Sequence, residues 1–484
     1  MVAFCVNVLS VYILIETTGE RARMARYRGV LHHFHRRLAG EALSNLAGVL
    51  GDLIPQQQFD RLRQCGRRQR VFTPLATFWN FLAQVLSPAQ PCRETVRQMQ
   101  AARRRRQKSA ISSATGAYCQ ARRRLPEGIL QTTWQAIAAQ LSNACPSKML
   151  WRGLRVGVVD GSTLSMPDTV ANQAEWPQPS AQKPGCGFPI MKFVGLFSLA
   201  TGAAHALVTG SLHNAEQALF PHLWNTLTSG FDLLLGDRNF GSFAIFGALR
   251  CCGLHGVFRL HQRRKFDCRK GKRLGKFDRL VRWNKPPKLT WWLPDAVPDS
   301  IEIRVLKVYV PIAGFRTRVL FIATDLLDPK QFPAAALAEL YRRRWHVELF
   351  FRHIKTTMRM DVLRCKTPAM IRRELHMHMI AYNLIRALML QSALTYATAH
   401  CRISFKGSCD TLRQWAPHLA LVAATAVPYR RLFRSMLHTL AADVVPLRPN
   451  RSEPRAVKRR PKNYHRLTKP RHLIGNLPRR NRPK

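Results

Sequence analysis

Apolar positions recur along this chain with two periods, and their alternation along the 484 residues sets out its elements. Leu154-Arg-Val-Gly-Val-Val159 and Phe231-Asp-Leu-Leu-Leu235 are short apolar runs of the kind that form buried strands. Further strands are expected near Ile190–Thr201 and Ala203–Ser211. A helix is expected near Asn214–Leu227, with Asn214 as N-cap and Glu216 early in the first turn. After it come a helix near Ser242–Arg250 and a strand over Gly256–Leu260. Two strands, Ile301–Ile312 and Arg316–Leu326, are parted by Ala313-Gly314. Pro368–Gln391 has the pattern of a long amphipathic helix carrying Tyr382-Asn-Leu-Ile-Arg386. Towards the N-terminus, Leu75–Leu86 and Cys92–Ala102 are expected to be helices joined through Ser87-Pro88. That arrangement fits a helix-turn-helix that recognises DNA; the alternative is a helical packing domain with a solvated basic face.

The segment Tyr341 to Lys355 predicts a helix with chemistry on one side. At about 100° per residue, Tyr341, Arg344, Glu348 and Lys355 fall within an arc of roughly 60°. Leu340, Val347, Phe350, Phe351 and Ile354 fill the adjoining arc and would bury it. One carboxylate thus sits at the edge of the core among cations, which suits a metal-bound phosphodiester site. The same pattern fits a surface helix with i,i+4 ion pairs. Two more carboxylates stand at expected strand ends, Asp160 in Asp160-Gly161-Ser162-Thr163 and Asp237 in Gly236-Asp237-Arg238-Asn239. At such ends a carboxylate faces a crevice. Each also fits a simple turn, because Asp is a common turn residue. The order strand, strand, strand, helix, strand is that of an RNase H-like core, with Asp160 on the first strand and Asp237 on the fourth.

Charge narrows the class of partner. The chain has 77 Lys and Arg against 27 Asp and Glu, a net charge of +50. Such an excess attracts polyanions with salt-dependent affinity and makes the few acids more telling. Cations cluster at Arg103–Arg106, at Arg122–Arg124 and in a stretch holding Arg263, Arg264, Lys265, Arg269, Lys270, Lys272 and Arg273. The twelve cysteines include no CxxC pair and no metal-ligand spacing with His, which fits a reducing compartment. His376 and His378 are two apart and share no helical face, and His346 and His353 fit packing or phosphate contact. Val2–Ile15 is apolar, but shorter than the about 20 residues that span a bilayer. It lacks the basic start and cleavage site of a signal peptide, so a translation start nearer Met24 is an alternative. The tail from Arg448 is rich in Arg, Lys and Pro, and is expected either to wrap DNA or to be solvated.

Taken together, Asp160 in VVDGST, Asp237 in LLLGDRNFGSF and Tyr341-x2-Arg344-x3-Glu348-x6-Lys355 resemble the DDE transposases of bacterial insertion sequences. The spacing is similar to that of the insertion-sequence-four family, and the resemblance runs from about Phe34 to the C-terminus. It implies a multidomain α/β protein. An RNase H-like catalytic core is interrupted by a β-strand insertion and preceded by a helical N-terminal DNA-binding domain. On this view residues 1–33 are an N-terminal extension and 34–150 the helical domain. Residues 151–260 and 331–400 are the two parts of the core, with 261–330 as the insertion between them. Residues 401–447 form a C-terminal helical segment and 448–484 a basic tail. The resemblance implies that Asp160, Asp237 and Glu348 are catalytic and hold two Mg²⁺ ions, for which Mn²⁺ can substitute. Asp160 would be the shared ligand, and Tyr341, Arg344 and Lys355 would bind DNA phosphates. Arg suits phosphate bidentately and Lys as a point charge. The implied partners are double-stranded DNA, at element ends and target, and a second copy of the chain; no membrane is implied, and the setting is the bacterial cytoplasm at the nucleoid. Trp291-Trp292 in the insertion can stack on a displaced base or cover the sheet. Two other functions remain open: a DNA-binding protein without catalysis, and an RNase H-like nuclease without strand transfer.

Overall fold

The computed structural model describes residues 44–65, 70–87, 91–105, 107–261, 264, 266–267, 269–287, 296–309, 319–423, 425–446, 469–470 and 473. The apolar N-terminal segment, Pro88, Arg106, Arg263, Lys265, Ala313-Gly314, Trp291-Trp292 and nearly all of the basic tail lie outside the described residues. Among the described residues no helix is long and apolar enough to cross a membrane.

The N-terminal part is helical: α1 (Ala47–Leu50), α2 (Gln56–Gln64), α3 (Pro74–Leu86), α4 (Cys92–Arg105), α5 (Gly116–Arg124) and α6 (Glu127–Asn143). Helix α3 begins where its chemistry dictates. Thr73 Oγ1 accepts the amide of Ala76, and Pro74 occupies the first turn, where no amide is needed. Trp79 and Trp134, from α3 and α6, lie in the same buried cluster as Tyr382 of the long helix α13 (Pro368–Thr395). These helices are therefore continuous with the core beneath the sheet. Asn383 makes the joint specific: Nδ2 donates to the carbonyls of Trp134 and Ala204, and Oδ1 accepts the amide of Ala204. Arg93, Arg97, Arg104, Arg105, Arg123 and Arg124 stay exposed on α4 and α5.

The sheet has nine strands in the order β3-β2-β1-β4-β5-β9-β8-β7-β6. β1 (Val156–Ser165), β2 (Ile190–Ser198) and β3 (Ala204–Ser211) form an antiparallel meander. β4 (Leu233–Gly236) and β5 (His255–Arg259) lie parallel to β1, each reached by a helical crossover. The first crossover carries α8 (Glu216–Leu219) and α9 (Trp224–Gly230), and the second carries α10 (Phe243–Cys251). Between β3 and β4, and again between β4 and β5, the elements follow the order expected from sequence, consistent with an RNase H-like core. The inserted strands do not stand apart from it. β9 (Val319–Thr324) pairs antiparallel with β5, and β8 (Ser300–Tyr309), β7 (Asp278–Asn284) and β6 (Lys272–Gly275) extend the same sheet outward.

Arg304 of β8 pins this extension. It has no exposed surface, and its Nε and Nη2 lie 3.0 and 2.5 Å from the two carboxylate oxygens of Asp278. Its Nη1 donates to the carbonyls of Leu326 at 3.3 Å and Phe332 at 2.7 Å. Those carbonyls belong to the segment that leads into α11 (Ala334–Arg343).

One expectation is corrected. Asp160 does not end its strand in a turn: β1 runs on to Ser165, and Asp160 pairs with Gly195 of β2. The antiparallel partner sustains the strand beyond the point where its parallel partner stops, since β1 meets β4 only over Val156–Val158.

Candidate active site

Register places the two aspartates side by side. Val158 of β1 is paired with Leu235 of β4, and both point into the same core cluster. Side chains alternate along a strand, so the residues two further on, Asp160 and Asp237, emerge on that same face at the same edge. Asp237 follows the last residue of β4, where the chain turns away while β1 stays extended. Its Oδ1 accepts the amide of Asn239, closing the turn. Asp160 feels the charge of Asp237. Burial pushes the Asp160 carboxyl up to about 6 from 3.8; Arg344 and the Gly161 amide oppose the rise, and Asp237 and Glu216 add to it.

The third carboxylate arrives from above the same face. The expected single helix from Tyr341 to Lys355 is interrupted. Helix α11 ends at Arg343, a joint occupies Arg344–Trp345, α12 covers His346–Arg352, and His353–Thr357 is a π turn. Across the joint the backbone bonds are of the tighter i→i−3 kind: Arg344 N to Tyr341 O, Trp345 N to Arg342 O, Val347 N to Arg344 O and Glu348 N to Trp345 O. Val347, Phe350, Phe351 and Ile354 are buried against the sheet as the periodicity predicts, with Phe351 edge-on to Phe193 and Phe197.

Arg344 links the carboxylates. Its Nη1 is 3.4 Å from Asp160 Oδ2, and its Nη2 is 3.5 Å from Glu348 Oε1. Both contacts are long for charge-assisted bonds. Its Nε is buried and makes no hydrogen bond. Glu348 is about half exposed, and Asp160 is the more enclosed of the two. Tyr341 is buried close to Arg344 and Asp237; burial pushes its hydroxyl up to about 12, so it stays a donor at neutral pH. Lys355, in the π turn, donates from Nζ to Ser162 Oγ at 2.9 Å, and burial lowers its pKa against the pull of Asp361. Ser162 is two residues beyond Asp160 and on the same face. The π turn is then fastened to β1, because Ser165 N bonds Asp361 O and Leu363 N bonds Ser165 O.

The donor set is all oxygen, which fits a hard divalent cation. Among the described residues, no three His, Cys, Asp or Glu side chains converge on a single ion. Asp160, Arg344 and Glu348 are brought together, Asp237 and Tyr341 border them, and Lys355 sits two residues along β1. The histidines do other work. His353 stacks on Phe405 and receives a bond from the buried Arg386, whereas His376 is bonded by Trp134 Nε1.

Two neighbours of the site were not evident in the sequence. Ser162 reads as a turn residue beside Asp160-Gly161. Glu216 reads as an ordinary first-turn acid, and its one signal is the scarcity of acids in so basic a chain.

The family described as "Transposase DDE domain" matches residues 151–384, which contain every one of these positions. A transposase of Escherichia coli (strain K12), InsG of insertion sequence element IS4, is 28% identical over 359 residues, covering 72% of this chain and 78% of that protein. Among solved structures, the piggyBac transposase synaptic complex with hairpin DNA aligns over 83% of this chain and 84% of its own, at 10% identity and a TM-score of 0.41.

Proposed function

The chain belongs to the DDE transposases of the insertion-sequence-four family, and on that premise we propose that it binds the terminal inverted repeats of its element and catalyses Mg²⁺-dependent strand cleavage and transfer. Asp160, Asp237 and Glu348 are the catalytic carboxylates and would hold two Mg²⁺ ions, with Asp160 as the common ligand; Mn²⁺ could substitute. When bound, such a pair polarises the attacking oxygen and stabilises the leaving oxygen at phosphorus. In cleavage a water oxygen forms the new P–O bond, the 3′-oxygen departs with its electron pair, and the water proton passes to solvent. In transfer that 3′-hydroxyl attacks a target phosphodiester in the same way.

The remaining residues position charge. Arg344 has a loosely held guanidinium and an unpaired Nε, so it can turn its fork to a phosphate without breaking a short bond. Lys355 adds a point charge beside Ser162, and protonated Tyr341 donates to a phosphate oxygen. The exposed arginines of α4 and α5 supply sequence-independent grip on the duplex. Two copies of the chain hold the two element ends.

The observation that carries this proposal is the placement of Asp160 and Asp237 by strand register, with Glu348 tied to Asp160 through Arg344. The test uses purified protein, a labelled duplex carrying the element end, and Mg²⁺. Wild type should cut at the end and yield joined products, and Glu348→Ala should bind but neither cut nor join. Binding without cutting by wild type, in Mn²⁺ as well, would overturn catalysis in favour of simple DNA binding. Cutting without joined products would favour a nuclease.

A further inference from the structure

Glu216 approaches the catalytic edge from the face opposite Glu348. Gly161 alternates with Asp160 and so points to that other face, where Leu219 and Phe220 pack. A Cβ built on Gly161 would collide with the Glu216 carboxylate, which occupies the space that the glycine leaves. From there Glu216 Oε2 accepts a bond from Asn239 Nδ2 at 3.4 Å, and the Asn239 amide is the group that caps Asp237 Oδ1 at 2.8 Å. The next residue, Gln217, donates from Nε2 to the Asn239 carbonyl. Asn239 is therefore contacted by α8 at its side chain, through a long bond, and at its carbonyl, while its amide bonds the Asp237 carboxylate. The segment is itself anchored: Lys192 of β2 donates to Asn214 O, and Leu219 packs over bare Gly210. The charge of Glu216 also reaches Asp160.

We propose that Glu216 is a positioning residue of the transposition site: seated over Gly161, it holds the Asp237–Asn239 turn through Asn239 and so fixes Asp237 beside Asp160 for cation binding. The inference rests on the cation-binding role proposed above for the acidic triad. The Glu216 carboxylate fills the space left at position 161, which lies in a strand rather than a turn.

The test measures cation binding directly, by titrating the full-length protein with Mn²⁺ and following free ion by electron paramagnetic resonance, with cleavage as a second readout. Loss of a partner that orients a ligand typically weakens metal affinity by about 10–100-fold. Glu216→Ala should weaken Mn²⁺ binding by at least about tenfold at unchanged melting temperature and DNA affinity, whereas Glu216→Gln, which keeps an acceptor for Asn239, should recover most of it. Gly161→Ala should mimic Glu216→Ala by expelling the carboxylate. Asn239→Ala should have the same effect and add little when combined with Glu216→Ala, since both act on one turn. Wild-type affinity in Glu216→Ala would overturn the proposal, as would a loss matched by a fall in melting temperature and shared by Glu216→Gln. Asp160→Asn and Glu348→Ala separate the two levels. If these lose Mn²⁺ and Glu216→Ala does not, only the role of Glu216 fails; if wild type and both controls bind alike, or wild type binds none, the cation role of the triad fails and this inference with it.

Discussion

Arg304, on β8 in the inserted half of the sheet, has no exposed surface and grips both oxygens of Asp278 at 3.0 and 2.5 Å. Arg344, at the joint above the other half, reaches Asp160 and Glu348 only at 3.4 and 3.5 Å and keeps an unpaired Nε. The first is saturated: its remaining donor group is spent on backbone carbonyls of the segment that launches α11. The second is under-satisfied and sits where the side chains of two carboxylates need a counter-charge. A buried, fully bonded guanidinium is costly to disturb and cannot be lent to a ligand. One held by long contacts to two carboxylates, beside Tyr341 and over the Trp345 ring, can change partner without breaking a short ion pair. The two regions show how one residue type serves rigidity in the scaffold and availability at the site.

The comparison breaks most visibly at Arg304. Arg304→Ala leaves Asp278 buried without its partner and should destabilise the protein by about 3–5 kcal/mol in urea unfolding. Arg304→Met combined with Asp278→Leu should recover most of that loss; a mild single variant would refute the pinning role. Arg344→Ala should behave oppositely. Stability should change far less than for Arg304→Ala, while end cleavage falls by about 100-fold. A large loss of stability with unchanged cleavage by the folded fraction would erase the contrast.

Asp160 sharpens it through pH. Its carboxyl is raised from 3.8 to about 6, so the fold favours the protonated form. Stability linked to it is fully present below 3.8 and lost as pH rises through about 6. Asp160→Asn cannot ionise and escapes that loss. In metal-free buffer its advantage over wild type should grow by about 2 kcal/mol between about pH 4 and about pH 7, after allowance for partial exposure. An advantage equal at both ends would mean that the carboxyl titrates normally. The smallest effect belongs to Ser162→Ala, which removes the hydrogen bond that ties Lys355 to the strand: cleavage should drop about fivefold, with binding of a nonspecific duplex unchanged.

Much of this arrangement is legible in the sequence. The apolar runs at 154–159 and 231–235 marked the two strands that carry or lead to Asp160 and Asp237, because strand burial is written in local composition. The buried face of Val347, Phe350, Phe351 and Ile354 followed from helical period. The joint at Arg344–Trp345 and the π turn at Lys355 did not, because nothing in their residue types breaks a helix; tertiary attachment to Asp160, Ser162 and Ser165 accompanies both departures. Asp160-Gly161 looked like a turn because the dipeptide favours one, and pairing with β2 overrode that preference. Glu216 was invisible as a site neighbour since its relation to Gly161 and Asn239 exists only across elements. The helix pair α3 and α4 formed as expected, with its connecting turn outside the described residues.

The pairing of β5 with β9 also bears on how such a chain can diverge. Arg259 and Ile322 are neighbours in the ladder, and Leu260 N still bonds Phe321 O, so the polypeptide leaves the core and re-enters it at adjacent points. Whatever lies between those points can lengthen or shorten without shifting Asp237 on one side or Glu348 on the other. The freedom is graded. Arg304, paired with Asp278, holds carbonyls at the root of α11 and must persist, whereas among the described residues the outer edge at β6 makes no such bond and is where new length is most readily accommodated.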